Sequence, residues 1–479
     1  VSTDWFEQDA TDQAAAIARG EVDPRELVAA ARERLEQLDP KLGILSVLSG
    51  GEEETIDFAL ATGGPFRGVP FLMKDVGARQ AGRPYYAGNR ALRDADHRAD
   101  ADTPLGARFR ELGLVTLGNS RSPEFGLQSN TWPLVQGPTL NPWDTSRAAG
   151  GSSGGACAAV AAGLVPVAHA SDGAGSIRIP AAWCGLVGLK PSRDRIDWRH
   201  RGKQRPDVEF VVARSLRDTA RFLDLLRPAA CRAADAAPYA RAIAAPTPFT
   251  GPLRIAFWTR SPEGSAVHPD CRRAVEETAE RLARLGHRVV EAAPSGLADP
   301  TEYADRSLHG AVLGIRDYRD CLDDLAARIG RPVGPEDVEP FLWELAHLGP
   351  EEVAPAALAH SAEWVAAWER RTLAWFDDFD VLVTPTVCCP APFLDDLDPR
   401  VHEPLDLLEK MVPHMAFTEI WNATGQPALS LPLAETAEEG LPIGVQLVGA
   451  TGREDRLMTL AAQLMPTVTG LPRMAPGHG

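Results

Sequence analysis

Two glycine-rich turns place serines 24 residues apart, Ser152 and Ser176, and each could support nucleophilic or anion-binding chemistry. The first turn, Ala149-Gly-Gly-Ser152-Ser153-Gly-Gly, feeds a small apolar stretch over 156–163 that suits a tightly packed helix. A turn of this kind ahead of a helix presents backbone N–H groups and the positive end of the helix dipole, which favours an anion or an oxyanion. A flexible linker is the competing reading. A phosphate loop is disfavoured because Gly-Lys-Ser/Thr is missing. The second turn reads His169-Ala-Ser171-Asp172-Gly173-Ala174-Gly175-Ser176-Ile-Arg178-Ile-Pro180. Its small residues let a carbonyl oxygen approach backbone N–H groups. Ser176 follows them directly, where a nucleophile beside an oxyanion hole belongs. A structural serine in a Ser-Gly loop fits the same residues.

A serine nucleophile needs a base. Histidine is the usual choice, yet Lys74 fits better here. It closes the apolar run Val69-Pro-Phe-Leu-Met-Lys74. Burial penalises an ammonium and depresses its pKa, so the neutral amine can accept a proton. The competing reading is a surface lysine, or one paired with Asp75.

These residues need rigid elements behind them. Residues 10–38 read as two helices broken at Gly20-Glu-Val-Asp23-Pro24, with Asp23 as N-cap, Pro24 at the first helical position and Glu26 placed for a capping box. Strands are expected over 67–76, 114–118, 253–258, 380–384, 428–432 and 443–448, and helices over 103–112, 268–285 and 453–465. Residues 228–252, rich in Ala and Pro, read as a surface crossing, and 470–479 as a loose tail. Strands alternating with helices predict an α/β fold.

Composition narrows the function. The net charge of −17 speaks against a nucleic-acid binder, which would carry a basic excess. No stretch is long and apolar enough to span a bilayer, and the opening residues carry no basic-then-apolar leader within this sequence. The seven cysteines are odd in number and widely spaced, without a C-x-x-C pair. Reduced thiols in a cytoplasmic setting fit them better than zinc or disulfides.

Taken together, the segments resemble the amidase signature family. Its motif reads roughly Gly-Gly-Ser-Ser-Gly-Gly, then Gly-Thr-Asp-x-Gly-Gly-Ser-Ile-Arg-x-Pro, then Gly-x-x-Gly-x-Lys-Pro. The counterparts here lie at 150–155, 171–180 and Gly185-Leu-Val-Gly188-Leu-Lys190-Pro191. The run Pro70-Phe-Leu-Met-Lys74-Asp75 is similar to the family's lysine strand, and Pro123-Glu124-Phe-Gly126 to one of its turns. Asp380 through Thr386, and Asn422 through Gln446, are similar to its C-terminal strands, so the likeness covers nearly the whole chain.

The resemblance implies one α/β domain with a central twisted mixed sheet covered by helices. Residues 1–65 would form a helical layer, 66–195 the catalytic core within 66–479, and 196–370 a variable pocket region. It implies Ser176 as acyl nucleophile, Ser152 as a bridging serine on a cis peptide, and Lys74 as base. The N–H groups of Gly173, Ala174, Gly175 and Ser176 would form the oxyanion hole, supported by Ser153, Asp172 and Arg178. A small-molecule amide would be cleaved through an acyl-enzyme without metal or organic cofactor, and a homodimer is compatible with the family. No substrate-binding residue is assigned.

Two departures stand out. Ser171 and Ala174 replace the family's usual Thr and Gly, a pattern similar to the subgroup that hydrolyses nylon-oligomer cyclic dimers, as is Gly452-Arg-Glu-Asp455. The stretch 193–205 is short, basic and contains Trp198, where relatives carry a longer glycine-rich run. It reads either as a solvated loop or as a pocket rim. Three other functions share the residues: acyl transfer to an amine from the same intermediate, the ammonia-releasing subunit of a tRNA-dependent amidotransferase, and a non-catalytic binding protein. The absence of a basic surface disfavours the second, and retention of Lys74, Ser152 and Ser176 disfavours the third.

Overall fold

The computed structural model describes residues 4–196, 207–244, 249–349, 353–465 and 475. Its apolar runs become strands of one sheet: β1 (Leu45–Leu48), β2 (Pro70–Lys74) and β3 (Val115–Ser120) come first. Strands β4 (Leu140–Asn141) and β5 (Asp144–Ala148) form a separate hairpin. There follow β6 (Val167–Asp172), β7 (Val187–Lys190), β8 (Val208–Ala213), β9 (Arg254–Phe257) and β10 (Arg288–Glu291). The last are β11 (Val381–Pro385), β12 (Ala428–Glu435) and β13 (Pro442–Gly449).

Among the described residues the main sheet has eleven strands in the order β1-β3-β2-β6-β8-β7-β12-β13-β11-β9-β10. It is mixed: β2 runs parallel to β3 and β6, whereas β8 runs antiparallel to β6 and β7. Every residue of β2, β3, β8, β11 and β13 is buried, as expected of strands covered on both faces. The single-domain α/β architecture expected from sequence is the one observed.

The helix Gly154–Ala161 is buried along its whole length. Its small residues make that possible: a Cβ on Gly155 would lie 2.5 Å from both the Arg121 nitrogen and the Ile44 carbonyl oxygen. The two N-terminal helices fall at Ala10–Arg19 and Pro24–Leu42. Gly20 closes the first in the left-handed conformation (φ 72°) that glycine adopts without steric cost. Asp23 caps the second by accepting from the Arg25 N–H at 2.8 Å. The N-terminal layer is not purely helical, because it also supplies the edge strand β1.

Other differences follow from tertiary packing. Residues expected as a surface crossing contain two short helices, Ala229–Ala234 and Pro238–Ala244, and the second buries Tyr239 against the core. The variable region carries long helices at Pro300–Ile329 and Pro355–Ala374. Proline at the first helical position starts both, and Asp299 caps the first by accepting from the Thr301 N–H.

Candidate active site

Lys74 is the last residue of β2 and is fully buried. Its Nζ donates to Ser152 Oγ at 2.7 Å and to Ser171 Oγ at 2.8 Å. Burial lowers its pKa to about 7, although Glu209, Asp172, Cys157 and Asp207 pull the other way. An amine so placed exchanges a proton near neutrality. Asp75 is not its partner. Its carboxylate accepts from Ser46 Oγ at 2.6 Å, from the Tyr86 and Gly88 N–H groups and from Asn119 Nδ2, so the paired-lysine reading does not hold.

Ser152 stands in the turn ahead of the helix Gly154–Ala161, and the Gly151–Ser152 peptide is cis, as expected. Thr131 ties that turn by donating from Oγ1 to the Gly150 carbonyl and accepting from the Gly154 N–H. Gly126 approaches from the other side: a Cβ there would sit 3.3 Å from Ser152 Oγ, and its φ of 74° suits glycine. Ser153 links the two turns, because its N–H donates to the Ser176 carbonyl and its Oγ to the Ser171 carbonyl.

Ser176 is half-buried, between β6 and the helix Arg178–Cys184. Among the described residues no hydrogen bond joins its Oγ to Ser152. Catalytic hydrogen bonds commonly tighten only when substrate binds. Of the four expected oxyanion donors, the Gly175 N–H is already engaged by Asp172 Oδ1 at 2.8 Å. Those of Gly173, Ala174 and Ser176 have no protein acceptor among the described residues. Gly175 instead supplies a bend. Its φ is 132°, and a Cβ there would lie 2.4 Å from Thr418 Oγ1 and 2.7 Å from Ile179. Thr418 in turn donates to the Ala174 carbonyl at 2.6 Å.

Beneath this turn Arg178 and Asp172 form a buried pair. The guanidinium meets both carboxylate oxygens at 2.9 Å and also donates to the Thr418 carbonyl, Gln446 Oε1 and Asn422 Oδ1. Burial alone would raise the Asp172 pKa, but Arg178 outweighs it, with Lys190 and Asn422 adding, and the group is held at about 2. A bidentate buried pair with every donor satisfied holds geometry well. Deleting one partner of such a pair costs about 3–5 kcal/mol.

A model of the family described as Amidase matches residues 26–458. The chain belongs to the amidase family. It is 36% identical to a 6-aminohexanoate-cyclic-dimer hydrolase of Pseudomonas sp. (strain NK87) over 98% of this chain and 97% of that protein. It is 34% identical to a putative amidase, AmiC, of Mycobacterium leprae over 95% and 94%. Among solved structures, a 6-aminohexanoate cyclic dimer hydrolase complexed with substrate superposes with a TM-score of 0.87, at 34% identity over 98% and 99%. A bacterial aryl acylamidase of the amidase signature family superposes at 0.81, with 25% identity over 96% of each chain. The fold and the enzyme class, hydrolysis of carbon–nitrogen bonds, follow from that membership.

The structure of this amidase brings Lys74, Ser152, Ser153, Ser171, Asp172, Gly173, Ala174, Gly175, Ser176 and Arg178 into one contiguous site. Trp198, Arg199, Arg201, Lys203 and Arg205 of the basic stretch lie outside the described residues. Arg193 and Arg195 are tied down, the first to the Asn422 and Ala423 carbonyls and the second to Glu454. Sequence reasoning missed Ser171 as a partner of the amine, although it stands at the motif's hydroxyl position. It also missed Thr131, Thr418, His169 and Glu209. Glu209 left a legible trace: it is the lone charge in Val208-Glu-Phe-Val-Val, a strand otherwise apolar.

Proposed function

We propose that this amidase cleaves a linear or cyclic amide through an acyl-enzyme on Ser176, using Ser152 and Lys74 as a proton relay. The observation that carries the reading is the 2.7 Å contact between the buried Lys74 amine and Ser152 Oγ. The substrate carbonyl sits over the 173–176 turn, and Ser176 Oγ attacks its carbon. The hydroxyl proton passes to Ser152, whose own proton moves to the neutral Lys74. Free N–H groups of the turn hold the oxyanion, an interaction worth roughly 10²–10³-fold per donor in rate. The ammonium then returns its proton through Ser152 to the leaving nitrogen, and the C–N bond breaks. Water attacks the ester by the same relay and releases the acid.

The kinship with 6-aminohexanoate-cyclic-dimer hydrolases favours cyclic amides of ω-amino acids as the substrate class. The test is product analysis by mass spectrometry on primary amides, aryl anilides, linear ω-amino-acid oligomers and their cyclic dimers, each with and without an added amine. Ring opening of a cyclic dimer, with the mass of water gained, is the expected result. Turnover confined to anilides would remove the cyclic class, and an amine adduct in place of the acid would make the enzyme a transferase.

A further inference from the structure

The relay just proposed leaves two buried polar residues beside Lys74 without a task. His169 and Glu209 are both buried. Ser171 and Glu209 face each other across the β6–β8 ladder, and His169 lies two residues before Ser171. Side chains alternate along a strand, so these three project from the same face. The Lys74 backbone N–H donates to His169 Nδ1 at 3.2 Å, and His169 Nε2 meets Glu209 Oε2 at 3.0 Å. Donor and acceptor roles are thereby determined. Nδ1 must carry the lone pair, so the ring proton sits on Nε2 and is given to Glu209 Oε2. That carboxylate packs against the turn after β2: a Cβ on Gly77 would lie 2.7 Å from Glu209 Oε1.

We propose that His169 and Glu209 are positioning residues for Lys74: the imidazole fixes the strand end that carries the amine, and the carboxylate holds a negative charge beside it. This inference rests on Lys74 being the base of the relay. Other groups also face the amine, namely Asp172 at the end of β6, Asp207 just before β8, and the Cys157 thiol from the helix Gly154–Ala161. Asp172 is committed to Arg178, which offsets its field. Among the described residues Glu209 is hydrogen-bonded to the His169 imidazole and to no guanidinium, so its charge acts on the lysine with less compensation. The consequence is a limit on how far burial can depress the amine. A lysine driven too low would be too weak a base to draw the proton from Ser152.

The test exploits an unusual composition: the chain has only five lysines, Lys41, Lys74, Lys190, Lys203 and Lys410. Lysine labelled with ¹³C at the ε carbon gives five signals, and Lys74→Ala identifies the one of interest. Glu209→Gln keeps the hydrogen bond from His169 and removes the charge. The Lys74 midpoint is expected to fall by about one pH unit, with the acid limb of kcat/KM moving the same way. Glu209→Asp, which restores the charge, is expected to bring the midpoint back up. A Lys74 midpoint unmoved or raised in Glu209→Gln would overturn the proposal. The NMR midpoint is read without turnover, so it stands apart from the relay: activity surviving in Lys74→Ala would defeat the relay alone. Should Glu209→Gln fail to fold, ¹⁵N shifts of histidine in the unaltered enzyme decide. The Nε2–H tautomer of His169 at pH 8 supports the dyad, and an Nδ1–H tautomer overturns it.

Discussion

Ser176→Ala is expected to lower kcat/KM for any amide substrate by at least about 10⁴-fold while leaving KM and thermal stability near their original values. The residue is half-buried, and no described side chain hydrogen-bonds to its hydroxyl, so its loss leaves no orphaned partner. Its effect is therefore chemical. Without Oγ the proposed relay has nothing to deprotonate, and the N–H groups of the turn would polarise a carbonyl that only water can attack. Residual turnover would come from that polarisation alone. Steady-state kinetics with a thermal melt separates this from misfolding. A variant retaining a tenth of the activity would mean that another atom attacks the carbonyl.

The second large effect belongs to Lys74. In the proposed relay its reacting form is the neutral amine, so kcat/KM should rise with pH through about 7 and fall as the amine becomes protonated below that value. Lys74→Ala should remove the limb and lower the rate by about 10²–10⁴-fold, the usual contribution of a general base. Lys74→Arg should not rescue it, because a guanidinium stays charged and cannot accept the proton. The rate measured from pH 5 to 9 on both variants checks this. A limb that persists in Lys74→Ala would assign it elsewhere, and Lys190 is the group to test, since burial and the nearby Arg178 hold its pKa at about 7 as well.

The candidate centre was readable because covalent order carries it. Ser152, Ser176, Asp172 and Arg178 lie within 27 consecutive residues, where glycine and serine spacing determines the turns. Lys74 was legible as the charge ending an apolar strand. What failed to show were partners brought in by the sheet. Glu209 reaches the site because β8 pairs with β6, and Thr418 and Asn422 because the segment before β12 folds over the 173–176 turn. Nothing in local spacing encodes those approaches. At Gly175 the structure adds a contact that spacing did not show. Its N–H was counted as an oxyanion donor, but the Asp172 carboxylate three residues earlier captures it in a local turn. The long helices of the variable region were overlooked even though Asp299-Pro300 spells out a helix start.

One measurement bears most directly on the acyl-enzyme. The enzyme is mixed with a reactive acyl anilide, quenched in acid within the first turnovers and digested, and its peptides are weighed. The mass of the acyl group is predicted on the peptide bearing Ser176, absent from Ser176→Ala and accumulating when an added amine is withheld. An unmodified Ser176 peptide during rapid turnover, or the acyl group on Ser152 instead, would contradict the account.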